Sequence, residues 1–208
     1  MEFYHDLITK KSFKILQDLK KKFDFILIGG WAVFLYSKGL KSKDIDIVID
    51  YDELAKIKGE FDLFKNERLR KYEIKIEEID IDIYLPHFSN LGIPVEEIKN
   101  YAQSREGFLA PWPELLLVLK VYAFQERKGT VKGQKDLIDI FSLINGGEID
   151  WKRYKKLIEK YSLSEVNEGF KKLISSTVAV PELNILNHQM ARLKKKILGS
   201  LWISESAG

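Results

Sequence analysis

Two carboxylates, Asp44 and Asp46, flank a single isoleucine in the stretch Asp44-Ile-Asp-Ile-Val-Ile49. On an extended strand, residues i and i+2 point to the same face, so both acids project together. Like charges held side by side repel unless a cation sits between them. Upstream, the apolar run Phe25-Ile-Leu-Ile28 ends in Gly29-Gly30 and leads into an apolar segment of helical length. Glycine permits close backbone approach, and a helix N-terminus offers free N–H groups to an anion. A third acid, Asp80 or Asp82, lies on a later strand and can converge with the first two. A phosphate site beside a carboxylate cluster is the layout for metal-assisted chemistry on a nucleotide. Each feature alone has a plainer explanation. Gly-Gly before a helix is often only a tight turn, and Asp-x-Asp on a strand can be a solvated edge. Aspartate is depleted in strands, however, and Ile45, Ile47 and Ile49 mark the opposite face as buried. The order and spacing together point to function.

Composition restricts the chemistry further. The 208 residues contain no cysteine, which removes disulfides, thiolate metal sites and cysteine nucleophiles. The three histidines, His5, His87 and His188, are scattered. Any metal is therefore expected on oxygen ligands, which selects a hard cation, Mg2+ or Mn2+. The net charge of +3 is too small for an unspecific nucleic-acid binder. Lysines cluster at Lys20, Lys21 and Lys22 and again at Lys194, Lys195 and Lys196, where a solvated helix face is the simple reading. There is no apolar run of membrane-spanning length and no signal-type apolar core after Met1, so a cytoplasmic location without a membrane partner is expected.

These residues need elements to hold them. Phe3, Leu7, Phe13, Leu16 and Leu19 recur near helical spacing and predict a helix from Phe3 to Phe23. A short buried strand over 25–28, a helix over 31–37 stopped by Gly39, and a strand over 45–49 follow. A short helix is predicted over 50–58, capped by Asp50 or Asp52. Tyr72 to Ile76 and Ile79 to Leu85 alternate at period two and read as strands joined at Glu77-Glu78. After Pro111 and Pro113 the pattern becomes helical, over 115–125, 135–144, 151–161 and 165–175, with a last helix to Leu198. Asn145-Gly-Gly147 is a break. The expected organisation is α+β: a mixed-sheet domain over residues 1–109, then a helical bundle domain over 110–208.

With these residues in place, the sequence resembles the nucleotidyltransferase superfamily that includes DNA polymerase beta. The finer likeness is to the branch of the abortive-infection toxin nucleotidyltransferases. It is carried by Gly29, Gly30, Ala32, Leu35, Tyr36, Lys41, Ser42, Asp44 and Asp46, with Lys41 and Ser42 in place of the commoner Arg and Thr. The resemblance covers residues 24–85. More loosely, Lys120 and the Lys135-Asp-Leu-Ile-Asp139 segment resemble a lysine and a lysine–aspartate pattern on two helices of that branch. On residues alone, Asp136 and Asp139 could equally form helix-face ion pairs. Lys120 ends an apolar run, so its stem is buried and its ammonium needs an anion.

The resemblance implies transfer of a nucleoside monophosphate from a nucleoside triphosphate to an acceptor hydroxyl. It implies that Asp44, Asp46 and Asp82 hold the metal, with Asp82 favoured over Asp80 by the apolar residues that follow it. Asp44, Asp46, Asp82 and Lys120 would be catalytic. Gly29, Gly30, Lys41, Ser42 and Asp139 would bind the nucleotide. An RNA, protein or small-molecule acceptor and an antitoxin partner are further implications. The alternative is a non-catalytic nucleotidyltransferase-like protein that binds a nucleotide or a partner chain. Trp31 is read as core, and His87, Arg105 and Lys43 as surface residues. Trp112 is read as core by default, its place between prolines also suiting base stacking.

Overall fold

The computed structural model describes residues 2–202, with side chains from 6 to 199. Phe3 of the predicted helical stripe is outside the described side chains. The chain divides into two compact units, Met1–Trp112 and Pro113–Gly208.

The first unit opens with α1 (Glu2–Lys22), β1 (Ile26–Ile28), α2 (Gly29–Ser37), β2 (Ile45–Val48) and α3 (Tyr51–Glu60). Then come β3 (Phe64–Asn66), β4 (Lys71–Ile76) and β5 (Ile79–Tyr84), a 3-10 turn over Val95–Tyr101, β6 (Ala102–Arg105) and β7 (Phe108–Pro111). The strands form one mixed sheet in the order β3-β4-β5-β2-β1-β7-β6. β2 lies between β1, which is antiparallel to it, and β5, which is parallel. That central position is what β2 needs to present charge beside charge. Ile45, Ile47, Ile79, Ile81 and Ile83 are essentially fully buried. Burial of each such side chain contributes about 1.5–3 kcal/mol, enough to fix which way the alternating acids point.

α2 shows why its sequence has no polar stripe. Trp31, Ala32, Val33, Leu35 and Tyr36 are all buried, so apolar residues surround most of the helix. Trp31 stacks 5.0 Å from Phe13 of α1 and donates its indole N–H to Ser12 at 2.9 Å. The helix ends at Ser37 because Lys38, not Gly39, takes the left-handed conformation (φ 52°) and donates its N–H to Phe34. The buried face of α1 is Ile8, Ser12, Leu16 and Leu19, continued by Phe23 just past the helix, while Leu7, expected in the apolar stripe, is exposed. Two small polar residues, Thr9 and Ser12, take core positions there that hydrophobic periodicity does not mark. Asp50 is the cap of α3 and accepts from the Glu53 N–H at 2.9 Å.

β6 and β7 form an antiparallel hairpin that was not predicted. Its turn residues, Glu106 (φ 49°) and Gly107 (φ 83°), both have positive φ, the geometry that matches strand twist. The boundary expected at 109–110 falls within β7, whose pairing with β1 keeps it in the first unit.

The second unit contains α4 (Pro113–Glu126), α5 (Val131–Gly146), α6 (Trp151–Lys160), α7 (Ser164–Ser176), a 3-10 turn at Pro181–Leu183 and α8 (Asn187–Trp202). α4 is its central helix, buried from Leu115 to Leu119 and packed on α5, α6 and α7. Thr130 caps α5, Gly147 closes it in the left-handed conformation, and Asp150 caps α6. Among the described residues, no helix is long and apolar enough to cross a membrane.

Candidate active site

The site is built where β1, β2 and β5 lie side by side. The sheet register sets Asp46 opposite Ile28 on one side and opposite Asp82 on the other. Asp46 is half-buried, and its Oδ1 accepts from the Tyr84 hydroxyl at 3.4 Å. Gly29, with φ +66°, closes over it. A Cβ built on Gly29 would stand 2.0 Å from Asp46 Oδ2 and 2.6 Å from its carboxyl carbon. The glycine is therefore required twice, for its left-handed backbone and for the space the carboxylate occupies. α2 starts at Gly29 with no side-chain cap and no acidic residue in its first turn, so its N-terminus faces this corner with N–H groups that suit an anion.

Asp44 precedes β2, in a bend. The Ser42 hydroxyl donates to the Asp44 carbonyl at 2.9 Å, so Ser42 shapes the bend that presents Asp44. Lys41 is exposed on the same loop, and Gly30 is half-buried in the first turn of α2.

Of the two later acids, Asp82 is in register with Asp46. Asp80 lies two residues away, is half-exposed and pairs with Lys75 at 3.4 Å. Asp82 is contacted by a residue the sequence reading did not single out. Lys71, 7% exposed, places its ammonium 2.5 Å from Asp82 Oδ2 and 3.0 Å from Glu73 Oε1. The hairpin register places Glu73 opposite Asp82 and Tyr72 opposite Ile83. Given the predicted turn at Glu77-Glu78, counting back along the two strands would have found this neighbourhood. Burial, and the negative charge of Asp46, push the Asp82 carboxyl up to about 6, against the opposing pull of Lys71. Burial works against the Lys71 charge, but its bonds to Asp82 and Glu73 outweigh that and hold its pKa above the usual lysine value.

The oxygen donors Asp44 and Asp46 fit a hard cation, and Gly29 leaves the Asp46 carboxylate the space that a Cβ would take. Among the described residues, no three acidic or histidine side chains stand as a preformed metal-binding group. Asp46 and Asp82 are brought together; Asp82 is tied to Lys71.

In the helical unit, Lys120 lies 2.6 Å from Asp139 and 3.2 Å from Asp136, and Arg127 lies 3.1 Å from Asp136. Both aspartates are buried. The ammonium that the resemblance makes catalytic thus has two carboxylate partners on the next helix. Burial pushes the Asp136 carboxyl upward despite Lys120 and Arg127. Lys135 is exposed.

The remaining surface residues have local partners. His87 is exposed and pairs with Glu96 at 3.1 Å. Arg105 lies over the Tyr36 ring at 4.8 Å and donates to the Leu35 carbonyl. Trp112, half-buried, meets Tyr101 edge-on.

No family model and no curated protein matches this sequence. Solved structures do match the fold. One is an antigenic nucleotidyltransferase-like protein from Paracoccidioides brasiliensis, with TM-score 0.50 and 15% identity over 91% of this chain and 93% of that one. Another is a Helicobacter pylori protein assigned provisionally to the nucleotidyltransferases, with TM-score 0.51 and 13% identity over 94% of each chain. At such identities the likeness is one of architecture. The sheet with its acidic central strand, followed by a helical unit, is the nucleotidyltransferase fold.

Proposed function

We propose that the chain is a metal-dependent nucleotidyltransferase that moves a nucleoside monophosphate from a nucleoside triphosphate to an acceptor hydroxyl. The observation that carries this reading is the Asp46 carboxylate, wedged against Gly29 and in register with Asp82. Asp44 and Asp46 would hold magnesium, which supplies neutralisation of the triphosphate when bound. The first turn of α2 receives phosphate oxygens through backbone N–H groups, with Lys41 at the rim. Asp82, with a pKa near 6, takes the proton of the acceptor hydroxyl. A bond forms between the acceptor oxygen and the α-phosphorus, and the bond to pyrophosphate breaks. RNA or protein as acceptor, and an antitoxin partner, rest on the resemblance of the sequence to the abortive-infection branch.

The alternative is a non-catalytic nucleotidyltransferase-like binding protein, and the Lys71 contact on Asp82 is the observation that favours it. The two readings separate in one assay. Pyrophosphate release is measured with each nucleoside triphosphate, magnesium and cell RNA or protein extract. The enzyme reading predicts release that Asp46→Asn abolishes. Triphosphate binding without release would establish the alternative.

A further inference from the structure

Resting on the nucleotidyltransferase reading, we propose that the Lys71 ammonium stands in for a second divalent cation, so that the site takes one metal ion rather than two. The geometry that supports this is local and complete. A magnesium ion bridging Asp46 and Asp82 would need an oxygen of Asp82 at about 2.0–2.1 Å. The Lys71 ammonium already lies 2.5 Å from Asp82 Oδ2. It is not a surface side chain that happens to reach in. Lys71 is 7% exposed, sits at the start of β4, and is held from the other side by Glu73 at 3.0 Å. Swinging away would strand a buried ammonium without its anions, which is strongly unfavourable. A divalent ion on the same oxygen would instead set two cations side by side on one carboxylate oxygen, where they repel. Asp46, beside Gly29, and Asp44 are left as the ligands for the single ion.

Charge counting leads the same way. Asp46, Asp82 and Glu73 bring three carboxylates to neighbouring positions on adjacent strands, because Glu73 pairs with Asp82 and Asp82 with Asp46. One fixed positive charge inside that row lowers the repulsion that a second metal would otherwise relieve. Lys71 is thus a positioning residue. It fixes the Asp82 carboxylate and sets the number of metal ions.

Manganese bound with inorganic tripolyphosphate tests this without reference to base or acceptor. Metal per chain is counted by equilibrium dialysis, and electron paramagnetic resonance distinguishes an isolated ion from a spin-coupled pair. The wild-type protein is expected to retain one manganese with an uncoupled spectrum. Lys71→Met is expected to retain two, spin-coupled, and Lys71→Arg, which keeps the charge, only one. Circular dichroism verifies that each variant is folded, and Lys71→Gln replaces Lys71→Met if the latter does not fold. Two coupled ions in the wild type, or a folded uncharged variant that still takes one, would overturn the inference and leave the transferase reading intact. No retained manganese in any variant would overturn both.

Discussion

Asp46 is the residue on which the site turns. Its carboxylate is opposed to Asp82 across a strand pair, and when both are ionised the two repel each other. Asp46→Asn removes that repulsion at constant shape. The variant should melt a few degrees higher than wild type in calorimetry while losing transfer. Unchanged or lower stability would mean that the two carboxylates do not interact. Asp82 gives the same interaction a pH signature. Its folded pKa, about 6, lies above the ordinary 3.8, so the folded state holds the proton longer than the unfolded chain. Stability from this group is complete below the ordinary value and is lost as pH rises through about 6. The loss is on the order of 1–3 kcal/mol. Denaturant melts between pH 4 and 7.5 should show it in wild type, and Asp46→Asn should shrink it. The same protonation should impose an acidic limb near pH 6 on kcat/KM.

At the scale of elements, the β1–α2 corner and the α4–α5 pair make separate predictions. Gly29→Ala should destabilise the protein by at least about 1 kcal/mol from the left-handed backbone alone, and further because its Cβ would meet the Asp46 carboxylate. It should also weaken binding of a magnesium triphosphate. Urea melts and calorimetry read the two effects, and a fully stable variant would contradict the close approach. Lys120 bridges Asp136 and Asp139 from α4 to α5, with all three groups largely buried. Lys120→Met would take the ammonium from Asp139 and leave Asp136 with Arg127 alone, and should cost roughly 3–5 kcal/mol in the absence of nucleotide. A stable variant with weakened nucleotide binding would return Lys120 to the catalytic role that the resemblance implies. Legibility also varied by element. The Ile-alternating strands announced β2 and β5, because burial on one face writes itself into period two. Glu106-Gly107 is a turn signal of the Asp-Gly kind, yet β6 carries an alternation too weak to mark a strand on its own. Lys71 was hidden for another reason: a lysine at a strand start looks solvated until the register shows what it faces.

Across the whole molecule, the sequence carried the acids, the glycines and the change from sheet to helices, since those depend on local pattern. It did not carry which acid stands beside which across the sheet, since that depends on strand order. β5 follows β2 by way of α3 and a hairpin, yet returns to lie parallel beside it. Only that return sets Asp82 next to Asp46; Lys71 reaches Asp82 through the local β4–β5 hairpin. The central claim is the transfer itself, and the most direct measurement follows two labels. The protein is incubated with magnesium, cell RNA or protein extract, and each triphosphate labelled either at the α- or at the γ-phosphorus. Nucleotidyl transfer predicts that α-label enters the acceptor, that γ-label leaves as pyrophosphate, and that Asp46→Asn does neither. Acceptor labelled from the γ-position, or α-labelling that persists in Asp46→Asn, would contradict it.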